Sequence, residues 1–105
     1  MAGSILGDRP VDGDGGIWID DGGLLHVGRA WVALPDVEWR LVGALVARVG
    51  QLVRRDELVA ATWPGRVIGD ATLGPYIRRV RKRLQPLGIT ITTVRGRGFV
   101  LSVPA

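Results

Sequence analysis

The sequence is poor in the side chains that most enzymes use. It has no cysteine and a single histidine, His26, and its only serines are Ser4 and Ser102. The lack of cysteine excludes disulfide bonds, thiolate nucleophiles and cysteine-ligated metals. One histidine cannot supply a histidine metal site and offers little choice of nucleophile–base pairs. We therefore expect a protein that is not an enzyme and that holds no metal and no cofactor.

Long apolar runs are also missing. No stretch reaches the ~18 consecutive apolar residues that indicate a membrane span, and Met1–Pro10 lacks the basic start and apolar stretch of a secretory signal. This pattern favours a cytoplasmic protein with no membrane contact. The chain has 105 residues, of which 47% are hydrophobic, and that is enough for one domain with a buried core.

Acidic side chains are absent from the last third of the chain. Residues 1–70 hold seven arginines and ten acids, a net charge of 7 − 10 = −3. Residues 71–105 hold six arginines, one lysine and no acid, a net charge of +7. Such a segment attracts a polyanion when its charged side chains share one face, and otherwise forms a solvated surface without a partner. Charge alone leaves both interpretations open.

The chain divides into a tail and one domain. Residues 1–16 are rich in glycine and aspartate, which predicts a flexible tail or linker, although Ser4–Leu6 could add a short strand. Residues 17–105 contain all the longer apolar patterns. We expect this second part to fold as the single domain.

The first part of that domain predicts a small antiparallel sheet. Three short apolar segments are separated by glycine-containing turns, which supply the positive φ angles of tight hairpins. These segments are Ile17–Asp20, Leu24–Val27 and Trp31–Leu34. A lone histidine in such a sheet is more often structural than functional, so we expect His26 to be structural.

Helical periodicity begins at Asp36. Apolar residues at i, i+3, i+4 and i+7 predict an amphipathic first helix, which Gly50 is placed to end. These residues are Val42, Leu45, Val46 and Val49. A shorter second helix is predicted next, with Asp56 as its N-cap and Trp63 near its end. Pro64 then begins a loop.

A third helix is predicted over residues 72–85, with Thr72 as its N-cap and Pro75 in its first turn. Its apolar stripe consists of Leu73, Ile77, Val80 and Leu84. At about 100° per residue, the basic side chains fall on the opposite side and its shoulders. They are Lys82, Arg78, Arg79, Arg81 and Arg83. The helix can therefore dock on a core and present its charges to solvent.

A hairpin with a basic tip ends the chain. Residues 89–94 and 99–103 alternate between apolar and polar side chains, as strands do. Arg95-Gly96-Arg97-Gly98 stands between these two segments. Because the glycines allow a tight turn, the arginines are expected to project from its tip.

The basic helix and the hairpin together point to double-stranded DNA. A helix fits the major groove of B-DNA, and arginine can hydrogen-bond a guanine base twice or contact phosphate. A hairpin arginine can reach the minor groove. We therefore predict sequence-specific binding of double-stranded DNA by a transcriptional regulator. The alternative is a module for protein contacts made by Trp18, Trp31, Trp39 and Trp63, although tryptophans at these positions more often belong to a core.

Four ordered segments resemble one known family. They are Trp31–Leu34 with Glu38–Val42, Val53–Leu58 with Trp63, Tyr76–Leu84, and Thr92–Phe99. Together they make residues 31–103 similar to the C-terminal effector domain of OmpR/PhoB-type response regulators. The resemblance implies an α+β winged helix-turn-helix fold, with a four-stranded N-terminal antiparallel sheet, a three-helix core and a C-terminal β-hairpin wing.

The resemblance also implies how DNA is bound. The third helix would enter the major groove, and the wing, residues 95–98, would reach the minor groove. The predicted DNA-binding residues are Tyr76, Arg78, Arg79, Arg81, Lys82, Thr93, Arg95 and Arg97. The chain departs from the family pattern at Ala71, at Gly74-Pro75 and at Pro35, where Asp36 is the substitute for a Ser/Thr helix cap.

Two further partners are implied by the resemblance. The loop between the second and third helices would contact RNA polymerase. That loop consists of Pro64, Gly65, Arg66, Val67, Ile68, Gly69 and Asp70. Family members are expected to bind direct repeats as head-to-tail homodimers at the nucleoid. A receiver domain does not fit into 105 residues, so the chain is either an excised domain or a standalone regulator.

Overall fold

The computed structural model of the protein describes residues 16–104. Its elements are β1 (Ile17–Ile19), β2 (Leu24–Val27), β3 (Ala30–Ala33), α1 (Asp36–Val46), β4 (Leu52–Arg54), α2 (Arg55–Thr62), α3 (Asp70–Leu84), a 3-10 helix (Gln85–Leu87), β5 (Thr90–Val94) and β6 (Gly98–Ser102). None of the helices in this part of the chain is long and apolar enough to cross a membrane. The possible strand at Ser4–Leu6 lies outside the described residues.

The N-terminal sheet has the order β1-β2-β3 and is antiparallel throughout. Asp20 organises its first turn, because the carboxylate accepts hydrogen bonds from the backbone N–H groups of Gly22 at 2.8 Å and Leu24 at 3.0 Å. Gly23 has a φ of 83°, and its carbonyl accepts the N–H of Leu34 at 3.0 Å. The predicted sheet is confirmed with three strands; the fourth that the resemblance implies is not found in the described part of the chain.

One hydrophobic core joins both sheets and all three helices. Its members are Leu25, Leu34, Leu41, Val42, Leu45, Val53, Leu58, Val59, Leu73, Ile77, Val80, Leu84, Ile89, Ile91, Phe99 and Leu101. The predicted stripe of α3, from Leu73 to Leu84, is buried as expected. Since this stripe faces the core, the opposite side of α3 faces solvent.

The second sheet, with the order β4-β6-β5, fastens the wing hairpin to the strand before α2. Gly98 begins β6 and packs so closely on β4 that a Cβ would overlap the carbonyl oxygen of Val53. Only glycine fits there. Gly98 therefore belongs to a strand rather than to the predicted tip, and the tip is the shorter segment Arg95–Arg97.

The first helix is shorter than predicted. α1 ends at Val46 rather than at Gly50, so Val49 lies outside the apolar stripe and is 38% exposed. At the other end Pro35 occupies the N-cap position and Asp36 is the first helical residue. The expectation that Asp36 substitutes for a capping side chain is therefore wrong.

The second helix also begins differently. Arg54 is the N-cap of α2, so Asp56 lies inside the helix and does not cap it. The Glu57 carboxylate instead accepts a hydrogen bond from the backbone N–H of Arg54 at 3.0 Å. This is one half of a capping box, because the Arg54 side chain carries only donors.

The third helix begins two residues earlier than predicted. Gly69 is its N-cap and Asp70 its first residue, so Thr72 is not the cap and Asp70 does not belong to the loop. An acidic residue is favourable at the positive end of the helix dipole, which accounts for the earlier start. Pro75 consequently lies past the first turn, where its missing N–H removes one hydrogen bond of α3.

Trp18 and Trp31 are not core residues, in contrast to the expectation from sequence. Trp31 is 61% exposed and lies directly opposite His26 in the register of β2 and β3. His26 stacks on Trp18 with ring centroids 4.1 Å apart, and its Nε2 lies 2.9 Å from Asp20 Oδ2. Directly paired residues point to the same side of a sheet, so these rings share its outer face.

Candidate nucleic-acid interface

The exposed side of α3 carries a cluster of cations. Arg78, Arg79 and Lys82 lie opposite the buried stripe and are exposed. Arg78 and Lys82 have no ion-pair or hydrogen-bond partner among residues 16–104. Together with Arg81 they line a surface cleft of about 390 Å³ between α3 and β5. Unpaired cations beside such a cleft are suited to bind phosphate groups.

Arg81 is bound to the protein itself. Its Nε donates to the carbonyl oxygen of Ile91 at 2.9 Å, and its Nη2 donates to Thr93 Oγ1 at 2.8 Å. Both acceptors belong to β5, the first strand of the wing hairpin. Arg81 and Thr93, two of the predicted DNA-binding residues, therefore hold the wing against α3.

Arg83 orients α3 on the first helix. Its Nε lies 2.5 Å from Glu38 Oε1, and Glu38 is only 3% exposed. A buried carboxylate is costly without a cationic partner, so this contact fixes how α3 packs on α1. Sequence reasoning missed the pair, although Glu38 shares the helical spacing of the buried residues Leu41 and Leu45 and so signals a buried charge.

The wing tip holds two arginines away from the rest of the protein. A hydrogen bond of 2.9 Å from the N–H of Arg97 to the carbonyl of Val94 closes the turn. Gly96 has a φ of 74°, which residues with a Cβ disfavour. Arg95 and Arg97 are exposed. They line a cleft of about 410 Å³ that extends to the first residue of α3, Asp70.

Arg55 lies at the other side of this cleft. Its Nη2 lies 2.6 Å from Asp70 Oδ1 and donates to the carbonyl of Ile68 at 3.2 Å. The first contact offsets the charge of Asp70, the one carboxylate among the described residues that lines the cleft. The second contact holds the loop between α2 and α3, in which the Val67 side chain is fully exposed.

Tyr76 connects the basic side of α3 to the core. Its ring meets Trp63 edge to face, with centroids 5.3 Å apart and an interplanar angle of 71°. The Arg79 guanidinium carbon lies over the Tyr76 ring, 4.7 Å from its centroid. Tyr76 and Trp63 are half-buried, whereas Arg79 is exposed. Arg79 is thus supported by a ring while Arg78 is not.

Among residues 16–104, two carboxyl groups have lowered pKa values, and neither belongs to α3 or the wing. The pKa of Glu57 is lowered by the backbone N–H of Arg54 and then by the side chain of Arg48. Burial raises the pKa of Asp20, but hydrogen bonds from His26 and two backbone N–H groups outweigh it and leave this pKa lowered. Both groups are ionised near neutral pH and serve the local structure.

The structure gathers the predicted site residues into two groups on adjacent elements. Tyr76, Arg78, Arg79, Arg81 and Lys82 lie on α3, and Thr93, Arg95 and Arg97 lie on the wing. The Arg81–Thr93 contact joins the two groups. Three organising residues were not recognised from the sequence as parts of this surface: Glu38, Arg55 and Trp63.

The chain is similar to known proteins over most of its length. The family described as "Transcriptional regulatory protein, C terminal" matches residues 28–101. The heme response regulator HssR of Staphylococcus aureus is 36% identical over 78 residues, which is 71% of this chain and 35% of HssR. The chain therefore spans about a third of the length of the curated relatives it matches.

Solved structures share its fold. The C-terminal domain of the nisin resistance regulator NsrR has a TM-score of 0.71 and 31% identity, covering 87% of this chain and 96% of that one. The Klebsiella pneumoniae RstA DNA-binding domain, solved in complex with the RstA box, has a TM-score of 0.67 and 26% identity, covering 84% and 92%. The predicted α+β winged helix-turn-helix fold is confirmed.

Proposed function

This chain belongs to the OmpR/PhoB-type family of C-terminal domains of transcriptional regulatory proteins, and we propose that it binds double-stranded DNA in a transcriptional regulator. In this proposal α3 enters the major groove and the wing tip, Arg95–Arg97, reaches the minor groove. The family is one of DNA-binding domains and not of enzymes. A DNA-bound regulator of this kind acts at the nucleoid in the cytoplasm.

One observation carries the proposal: four cations on two connected elements have no protein partner within residues 16–104. They are Arg78, Lys82, Arg95 and Arg97. Arg79 adds a fifth cation, whose guanidinium carbon lies over the Tyr76 ring. Because Arg81 joins α3 to β5, the two elements present their charges as one surface. Phosphates are the expected partners of Arg78 and Lys82, and a base is the expected partner of Arg79.

Selection from random DNA duplexes tests the proposal. The wild-type protein should select one motif, and Arg79→Ala should relax one base position at a cost of about 1–3 kcal/mol. Arg95→Ala should weaken binding at the edge of the motif. With four to six phosphate contacts, log K should fall with log salt at a slope of roughly −4 to −5.

Arg29→Ala is the matched control for these variants. It removes the same charge from the turn between β2 and β3, where Arg29 is exposed and outside the proposed surface. Its affinity and salt slope should equal those of wild type. No selected motif, an affinity that salt does not change, or equal losses in Arg29→Ala and Arg79→Ala would each contradict DNA binding by α3.

The alternative function, a module for protein contacts, is favoured by one observation. Trp31 is 61% exposed on the outer face of the N-terminal sheet, and a large exposed aromatic is typical of protein interfaces. The duplex selection also separates the two functions. A protein-contact module would select no motif and would bind DNA equally well with and without Arg79 and Arg95.

Two further partners belong to the proposal as expectations from the family. RNA polymerase would contact the loop before α3, which runs from Pro64 to Gly69 because Asp70 is the first residue of the helix. The fully exposed Val67 supports a contact there. Val67→Ser should then reduce transcription from a target promoter without changing DNA affinity. Head-to-tail dimers would form on duplexes with two direct repeats, and analytical ultracentrifugation should show two chains on such a duplex.

A further inference from the structure

Arg79 differs from its neighbours on α3 in having an aromatic partner. The carbon of its guanidinium lies 4.7 Å from the centroid of the Tyr76 ring, within the ~6 Å range of a cation–π contact. The two residues are three apart, so they are neighbours on the helix surface. Arg78 and Lys82 are also exposed but have no such ring among the described residues.

Tyr76 is itself held from the side of the core. Trp63 meets its ring edge to face at 5.3 Å, which is a favoured geometry for two aromatic rings. Trp63 in turn is anchored where α2 ends, since its backbone N–H donates to the carbonyl of Val59 at 2.8 Å. Both rings pack against the hydrophobic core. The contacts therefore run from the core, through two rings, to one exposed guanidinium.

A cation–π contact leaves an arginine able to bind a base. The Tyr76 ring attracts the charge of the Arg79 guanidinium, and the guanidinium keeps N–H donors for an acceptor on a base. An arginine without a partner must give up more side-chain freedom when it binds. Because the Tyr76 ring holds it, Arg79 has lost part of that freedom before DNA arrives.

We propose that Trp63 and Tyr76 are positioning residues that hold the Arg79 guanidinium for base recognition without contacting DNA themselves. The inference rests on the proposed DNA binding. It assigns part of the base specificity to two half-buried residues that lie between the core and Arg79. It differs from the sequence-based prediction, in which Tyr76 contacts DNA directly. The Tyr76 ring holds the Arg79 guanidinium, and the Tyr76 hydroxyl group is not needed for this role.

Binding by Tyr76→Leu and Tyr76→Phe separates a ring effect from a hydroxyl effect. Fluorescence anisotropy would measure binding to the selected duplex and its single-base variants. Tyr76→Leu should weaken the selected site about two- to fivefold, which corresponds to the ~0.5–1 kcal/mol of an exposed cation–π contact. It should reduce discrimination at the base position that Arg79→Ala also affects. Tyr76→Phe keeps the ring and should stay within about 1.5-fold of wild type.

Double variants test whether the effect passes through Arg79. Tyr76→Leu combined with Arg79→Ala should bind no more weakly than Arg79→Ala alone, because the ring then has nothing to hold. Arg78→Ala is the matched control, since Arg78 is adjacent and has no ring partner. Losses from Tyr76→Leu and Arg78→Ala should therefore add.

An NMR measurement on the free protein tests the contact without DNA. The Arg79 Hε signal should show a ring-current shift in wild type and Tyr76→Phe, and a reduced shift in Trp63→Leu. This comparison keeps the test valid if Tyr76→Leu does not fold. An Arg79 Hε signal without a ring-current shift in wild type would overturn the inference.

The binding results separate failure of this inference from failure of the proposed function. If the wild-type protein selects no motif, the proposed sequence-specific DNA binding is wrong, and the positioning role of Trp63 and Tyr76 is wrong as well. If wild type selects a motif but the losses at Tyr76 and Arg79 add, only the positioning role is wrong. A loss in Tyr76→Phe equal to that in Tyr76→Leu would assign the contact to the hydroxyl. Tighter binding by Tyr76→Leu would show that the stack opposes recognition.

Discussion

Two regions of the molecule use arginine in opposite ways. In residues 16–70, four arginines pair with carboxylates of the same region. The pairs are Arg40–Asp36, Arg48–Glu57, Arg54–Asp56 and Arg55–Asp70. Residues 71–104 contain no acid. There Arg83 finds its carboxylate on α1 and Arg81 uses oxygen atoms of β5, while Arg78 and Lys82 have no such partner in the described chain.

The difference shows that exposure alone does not make an arginine available to a ligand. Arg81 and Arg83 are both exposed residues, yet nearby oxygen atoms hold them. They lie on the shoulders of α3, close enough to the core for neighbouring elements to reach them. Arg78 and Lys82 lie farther round the helix and have no such oxygen partner among the described residues. Arg81 and Arg83 therefore hold α3 against β5 and α1. Arg78 and Lys82 supply positive charge that is free to bind a ligand.

Gly98→Ala is expected to have the largest effect, because it breaks the junction between the two regions. Gly98 in β6 packs on β4, and a Cβ there would overlap the Val53 carbonyl oxygen. One strand must move to relieve the overlap. We expect the free energy of unfolding to fall by about 3 kcal/mol or more, as measured by urea unfolding.

Gly43→Ala is the control for this substitution. Gly43 lies inside α1, and a Cβ there would meet nothing within 4 Å. Alanine favours the helix, so this variant should be more stable by about 0.5–1 kcal/mol. Similar small effects at both glycines would contradict the close packing of Gly98 against β4.

Arg83→Ala and Arg78→Ala separate a structural arginine from an available one on the same helix. Arg83→Ala leaves the buried Glu38 carboxylate without its partner, and should cost about 2 kcal/mol of unfolding free energy. The figure is below that for a fully buried pair because the Arg83 side chain is 40% exposed. Its salt slope for DNA binding should stay that of wild type.

Arg78→Ala should show the reverse pattern. Its unfolding free energy should stay within about 0.5 kcal/mol of wild type, and its salt slope should become less steep by about 0.9, the loss of one phosphate contact. Urea unfolding and a salt titration measure the two quantities for both variants. A changed salt slope in Arg83→Ala, or none in Arg78→Ala, would contradict this division of roles.

Thr93→Val tests the contact that joins the wing to α3. Valine has a similar shape but cannot accept the hydrogen bond from Arg81 at Thr93 Oγ1. We expect a loss of about 1 kcal/mol in unfolding free energy, measured by thermal unfolding. Thr92→Val is the control, since Thr92 is an exposed neighbour on β5. Equal effects of the two substitutions would mean that the Arg81 contact contributes nothing.

The fold could largely be predicted because its signals are local. The i, i+3, i+4 spacing of Leu73, Ile77 and Val80 identifies the buried side of α3, and this spacing needs no knowledge of the partner. Glycine-containing turns identified the N-terminal sheet in the same way. Helix starts were less predictable, because Thr72 and Asp56 are good caps whereas the caps actually used, Gly69 and Arg54, have no capping acceptor.

The candidate site could be predicted only as a list of charges. Which arginine side chain has a protein partner depends on elements far apart in the sequence. Glu38, for example, precedes its partner Arg83 by 45 residues. The exposure of Trp31 has a similar cause: alternation in a short strand shows that there are two faces, but not which one is covered. The ring under Arg79 also required α2 and α3 to be placed together.

Asp20→Asn is expected to have the smallest effect on the free energy of unfolding, and the effect concerns only the N-terminal sheet in residues 16–70. Burial raises the pKa of Asp20, but hydrogen bonds from His26 and two backbone N–H groups outweigh it and lower that pKa. The stabilisation from the carboxylate is thus present above its unfolded pKa of about 3.9 and is lost as pH falls through the lower folded value. Wild type should exceed Asp20→Asn by up to about 1 kcal/mol at pH 5, with the difference shrinking by pH 3. Unfolding at both pH values measures this, and a constant difference would mean that the charge of the Asp20 carboxylate contributes nothing to stability.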